Sequence, residues 1–243
     1  MQEKDIDQIM DSMLSSTVDD ADIYFQSSHF ESWVLEDGII KEGSHSIEQG
    51  AGVRVVSGEK TGFAYSDQIE LSVLLKAAKN VKAIARQGQD AQRKVESAGK
   101  RIDYYQPTNP LKSLADQEKI NLLRKVDIET RKLDTRIEEV IVSLVGVYEQ
   151  VLVANHDGSL VADIRPLTRM NVSVIIEENG KREQGSMGGG ARTDYNFFLD
   201  EGKAINYGKE AVRQALVNLE AVDAPAGAMT VVLGPGWPGI LLH

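Results

Sequence analysis

Residues 52–65 read Gly52-Val53-Arg54-Val55-Val56-Ser57-Gly58-Glu59-Lys60-Thr61-Gly62-Phe63-Ala64-Tyr65, and this stretch decides the fold. Val53 and Val55 repeat with period two, as do Phe63 and Tyr65, so each pair lies on one face of a strand. Ser57-Gly58-Glu59-Lys60 between them is turn chemistry, and the whole predicts a β-hairpin. Directly downstream the period lengthens. Leu71, Leu74, Leu75, Ala78, Val81 and Ala85 fall at helical spacing within residues 69–87. A hairpin followed by a helix that packs back on it is the signature of an α+β fold, not of alternating α/β.

Working outward, residues 5–16 read as a short amphipathic helix with Ile6, Ile9, Met10 and Met13 on one side. Residues 21–26 and 31–36 are strand candidates, and Asp37-Gly38 turns the second into residues 39–43, because both turn residues tolerate positive φ. Residues 88–109 are polar, with Gly99 and Pro107, and read as a linker or an exposed loop. Residues 114–133 form a second long helix with Ile120, Leu123 and Val126 facing inward. Strand candidates return at 138–147, 149–155, 159–165, 170–177 and 181–186, with turns at His156-Asp157-Gly158 and at Asn179-Gly180. Residues 205–222 form a third long helix, and Met229-Thr230-Val231-Val232-Leu233 is expected as a short buried strand. The expectation is an α+β protein of antiparallel sheets with long helices packed on them, in two β-then-helix halves. The domain boundary falls in the linker, giving units 1–108 and 109–243.

Composition narrows the function classes. A chain of 243 residues with 42% hydrophobic content is large enough to bury a true core. The formal net charge of -10 gives no positive field to offset phosphate, which argues against nucleic acid and anionic membrane as partners. With no cysteine, thiol nucleophiles and Cys-based zinc clusters are excluded from these residues. Met1-Gln2-Glu3-Lys4-Asp5 has no basic or apolar signal region, and no apolar run approaches the ~20 residues of a membrane span. Cytoplasmic localisation is the expectation.

Several long collinear stretches carry a resemblance. Among them are Tyr24-Phe25-Gln26-Ser27-Ser28, Glu31-Ser32-Trp33-Val34-Leu35-Glu36-Asp37 and the hairpin of residues 52–65. Later ones are Asp163-Ile164-Arg165-Pro166-Leu167, Glu177-Glu178-Asn179-Gly180-Lys181-Arg182-Glu183 and Leu233-Gly234-Pro235-Gly236-Trp237-Pro238-Gly239-Ile240-Leu241-Leu242-His243. Together they resemble the N-terminal half of the TldD/PmbA metallopeptidase family, on its TldD side. The resemblance implies a zinc-dependent peptidase that hydrolyses short or unfolded peptides and pairs with a PmbA/TldE-like partner subunit or self-associates. It implies that His243 is the first metal ligand, at the start of a His-Glu-x-x-x-His motif, with the chain truncated there. The general-base Glu is then expected just downstream, so this chain holds no catalytic residue and is inactive alone. Its residues would form cleft walls and partner surface. The alternative is a non-catalytic truncated product acting as a peptide- or partner-binding module.

Other residues are read more plainly. Gly185-Ser186-Met187-Gly188-Gly189-Gly190 lacks the Gly-Lys-Ser/Thr ending of a phosphate loop and is expected to be a flexible loop. Gly234-Pro235-Gly236-Trp237-Pro238-Gly239 reads either as a turn aiming the metal helix or as an ordinary connection. His29, His45 and His156 show no ligand spacing. Trp33, Phe63 and Tyr65 are expected in a core or an interface. Glu36 and Asp37 point to opposite faces and do not form a working carboxylate pair.

Overall fold

A computed structural model describes residues 1–15, 18–85, 104–232, 234, 240 and 243. The expected linker at 88–109 and the turn at 234–239 therefore lie largely outside the described residues. The elements run α1 (Glu3–Met13), β1 (Asp20–Glu36), β2 (Ile39–Ser57), β3 (Lys60–Ser66), α2 (Leu71–Ala85), α3 (Asp116–Arg131), β4 (Ile137–Asn155), β5 (Leu160–Glu178), β6 (Lys181–Ala191) and α4 (Lys203–Leu219). All strand pairs are antiparallel, in one six-stranded sheet of order β3-β2-β1-β4-β5-β6. The fold is α+β, and the helix-β-β-β-helix order occurs twice.

The hairpin turns form where the sequence placed them. Asp37 and Gly38 sit at φ 51° and 71°, and Asn179 and Gly180 at 53° and 81°, the left-handed pairs that a tight two-residue hairpin needs. The strands differ from expectation. The separate segments expected at 21–26 and 31–36 are one strand of 17 residues, and those between 138 and 155 are one of 19. Residues 159–165 and 170–177 likewise fuse into β5, through Pro166. Pro166 is tolerated because β6 pairs with β5 only from Thr168 onward, which leaves position 166 with no described partner strand on that side.

The glycine run expected as a loop is strand β6. A Cβ built at Gly185 would overlap the Ala211 carbonyl oxygen and the Ala215 nitrogen, so glycine here lets α4 lie directly on the strand. Met229 to Val232, expected as a buried strand, are exposed and unpaired with any described strand. A strand needs a neighbour for its backbone groups, and the described sheet offers none at that point.

The alternation of β1 sets the layering. Ala21, Ile23 and Phe25 pack with α1 and α2, while Leu35, of the same parity, packs with α3 and α4. Both helix pairs therefore cover one face of the sheet, at opposite ends of its long strands. The first core joins Ile9 and Met13 of α1, Leu74 and Val81 of α2, and Val53 and Val55 of β2. The second joins Leu123 and Val126 of α3, Val142 and Leu144 of β4, Val172 and Val174 of β5, and Ala211 and Ala215 of α4. Full burial of one of the Val, Leu, Ile or Met side chains among them is worth roughly 1.5–3 kcal/mol. Among the described residues, no helix covers the opposite face.

Candidate functional site

Three polar groupings stand out on the sheet, and each comes from residues distant in sequence. The first lies beneath α3. Lys119, 1% exposed, places its ammonium 2.8 and 2.9 Å from the two carboxylate oxygens of Glu31. It also donates to Asp116 Oδ1 at 3.1 Å and to the Leu111 carbonyl at 3.2 Å. Tyr195, fully buried, donates its hydroxyl to Glu31 Oε1 at 3.0 Å. Burial first, and the Glu31 charge next, push the Tyr195 phenol far above its ordinary range. Gly146 of β4 makes room, since any Cβ there would collide with the Tyr195 hydroxyl. All three ammonium protons have acceptors, so the cluster is a satisfied ion pair. It pins α3 and the turn at residue 195 to the centre of the sheet.

The helical reading of residues 114–133 missed this lysine. Ile120 was expected inward, yet Lys119, Leu122, Asp127 and Thr130 are buried beside Leu123 and Val126. Asp127 accepts from Arg131 Nε at 2.9 Å. No local signal marks Lys119, because Glu31 lies 88 positions away.

The second grouping crosses the helix-free face. Gln26 of β1 donates to Glu149 Oε2 of β4 at 2.7 Å, and Arg165 of β5 reaches Glu149 Oε1 at 3.3 Å. Arg165 also donates to Asp163 at 3.0 Å, and Tyr105 donates to the same carboxylate at 3.2 Å. The hydrogen bond to Asp163 is the main cause that raises the Arg165 pKa. The third grouping is His29, whose ring lies edge-on to His45 at 6.3 Å and to Tyr148 at 6.1 Å on the helix-bearing face, between the two helix pairs.

The singled-out residues disperse. His156 pairs with Asp20 at 3.0 Å, far from His29 and His45 along β1. Asp37 sits in its turn and accepts from Arg131 at 3.3 Å, with no shared site with Glu36. Trp33 packs against the second core, whereas Phe63 and Tyr65 are 61% and 81% exposed. His243 is exposed. Among the described residues, no three His, Asp or Glu side chains converge on a point. A catalytic zinc needs about three protein ligands. His243 is a single donor, so the described residues do not by themselves fit a zinc ion.

Comparison with known proteins accounts for the architecture. Residues 21–85 match the model of PmbA/TldA metallopeptidase domain 1, and residues 109–219 match that of the PmbA/TldA metallopeptidase central domain. The chain belongs to the PmbA/TldD family. A protein named "Metalloprotease TldD homolog" from Haemophilus influenzae is 54% identical over 241 residues, which cover 97% of this chain and 50% of that protein. The chain thus spans about half the length of the curated relatives it matches. A solved structure from Thermotoga maritima superposes with a TM-score of 0.74 at 18% identity, covering 93% of this chain and 50% of that one. TldE from Thermococcus kodakarensis superposes with a TM-score of 0.69 at 15% identity, covering 88% and 47%. At those identities the structural likeness establishes the PmbA/TldD fold. No helix among the described residues is long and apolar enough to cross a membrane.

Proposed function

We propose that this chain is the N-terminal portion of a zinc-dependent PmbA/TldD peptidase that hydrolyses short or unfolded peptides in the cytoplasm. Its two units, 1–108 and 109–243, supply cleft walls and the surface that meets a TldE-like partner. The observation that carries the reading is the 54% identity to a metalloprotease across 97% of the chain. The shape of the sheet supports it. Because β3 pairs with β2 only along residues 51–57, the outer edge of β2 from 39 to 50 has no described partner strand. An extended peptide can add to such an edge through main-chain hydrogen bonds, which are indifferent to peptide sequence.

His243 serves in this reading as the first metal ligand, and the remaining ligands and the general base belong to sequence beyond the residues here. A second reading, a peptide- or partner-binding module without chemistry, is favoured by the dispersal of the ligating side chains, no three of which converge among the described residues. The test is a peptidase assay of this 243-residue chain and of a full-length relative, each with zinc and a TldE-like partner, scored by mass spectrometry on an unfolded peptide. Cleavage by the full-length protein alone is the expected result. Cleavage by the shorter chain would place the chemistry within it. Failure of both would favour the binding module.

A further inference from the structure

A cleft of about 460 Å³ opens on the helix-free face, between β1, β2 and β3. Its floor is glycine. Gly52 lies opposite Tyr24 and Gly50 opposite Gln26 in the β1–β2 register, and the missing side chains let the Phe63 ring and the Ser66 carbonyl oxygen settle over them, the oxygen 2.9 Å from where a Gly50 Cβ would stand. The Phe63 ring lies across Gly52, where a Cβ would stand 3.1 Å from a ring carbon. Tyr65 stacks beside Phe63, with centroids 6.4 Å apart and planes 27° from parallel. Two adjacent aromatic rings held this far out of the protein mark a recognition surface, because such area is ordinarily withdrawn from water. Tyr24 closes the opposite wall.

The charge of the cleft has one sign. Glu48 and Asp67 line it, and among the described residues no Lys, Arg or His does. Arg54, beside Phe63 on this face, is already paired with Asp20 at 2.9 Å and with Asp22. Aromatic faces carry negative charge at their centres, and with two carboxylates beside them the cleft attracts cations. A planar cation that stacks is favoured over a compact one.

We propose that this cleft binds the side chain of an arginine, and less tightly of a lysine, presented by an extended peptide. The guanidinium lies against Phe63 and Tyr65 with its edge toward Glu48 and Asp67. Acidic peptides are repelled by the same carboxylates. The site needs no metal and no hydrolysis, so it stands or falls separately from the peptidase reading.

The test is fluorescence anisotropy of a labelled nine-residue alanine–serine peptide carrying two arginines, titrated with the 243-residue chain. The controls replace both arginines by lysine, by the uncharged isostere citrulline, or by glutamate. Arginine is expected to bind best, with the citrulline peptide at least about 10-fold weaker, and added salt is expected to weaken binding further. Tyr65→Ala, at a ring 81% exposed and with an unchanged circular dichroism spectrum as its folding control, is expected to weaken binding about 5-fold, and Glu48→Gln with Asp67→Asn by a similar factor. Equal affinity for the arginine and citrulline peptides would overturn the proposal. So would wild-type affinity in both variants, or no binding of the arginine peptide at about 1 mM.

Discussion

Gly62 and Gly185 hold matching places in the two halves of the molecule. Each lies on the outermost strand of its half, under the helix that closes that half, and each lets a helix backbone approach the sheet. At Gly62 an added Cβ would stand 2.5 Å from the Val81 carbonyl oxygen of α2, and at Gly185 it would overlap two backbone atoms of α4. The interiors differ where the outlines agree. The helix-side core of the first half joins apolar residues from Ile9 and Met13 to Leu74 and Val81, with Ser57 buried at the end of β2. The second half encloses Lys119 and Tyr195, and their shared partner Glu31 comes from a strand of the first. The first half keeps its ion pairs, such as Arg54 with Asp20 and Asp22, at the partly exposed surface, and the second buries one that ties it to its neighbour. Repeated topology thus leaves the interior chemistry of each copy free, provided every buried polar group finds a partner.

The contrast is broken most directly at Lys119. Lys119→Ala leaves the Glu31 carboxylate buried without its cation, and a loss of about 3–5 kcal/mol in urea unfolding is expected. Replacing the whole cluster, Lys119→Met with Glu31→Leu and Tyr195→Phe, is expected to recover most of that loss, because an uncompensated buried group costs more than an absent cluster. A single substitution that costs no more than a surface change would show that the second core does not depend on its ion pair.

The glycines sharpen the comparison at intermediate scale. Gly185→Ala is expected to cost about 3 kcal/mol and Gly62→Ala about 2 kcal/mol, since backbone cannot swing aside as a side chain can. Thermal melts of the two variants would rank the helix–sheet contacts, and the reverse order would mean that α2 is the more tightly seated helix.

The smallest effect is a pH dependence confined to the second half. Burial and the Glu31 charge raise the folded-state pKa of Tyr195 above its unfolded value. The folded state keeps the phenolic proton where the unfolded chain releases it, above about pH 10. The stability associated with this group is therefore complete below pH 10 and declines as pH rises beyond it. Tyr195→Phe is expected to cost about 2 kcal/mol at neutral pH, for a lost hydrogen bond to a charged acceptor, and to remove this contribution to the alkaline decline. Parallel alkaline slopes in wild type and variant would overturn that assignment.

Much of the plan was legible in the sequence, for identifiable reasons. Asp37-Gly38 and Asn179-Gly180 announced their hairpins because left-handed backbone restricts residue choice. The helices showed through their apolar spacing, although α3 is turned so that Lys119, not Ile120, is fully buried. Strand continuity was hidden. Residues 27–30 and 43–50 carry little apolar alternation, because the two helix pairs leave the middle of the sheet uncovered. Their extended form comes from neighbouring strands, and composition carries no trace of that. The family was readable from long collinear stretches, while the aromatic cleft was not, since Phe63 and Tyr65 have the same pattern whether buried or exposed.

By itself the sequence determined the local geometry of this protein. Turn chirality, helix period and strand alternation depend on residues a few positions apart, and those interactions are written in order along the chain. The tertiary structure alone decided which face each strand presents to the helices, that Gly185 meets α4, and that Glu31, Lys119 and Tyr195 form one cluster. Those choices depend on groups up to 164 positions apart. Only closure of the sheet brings such groups within the few ångströms over which packing, hydrogen bonding and charge pairing act.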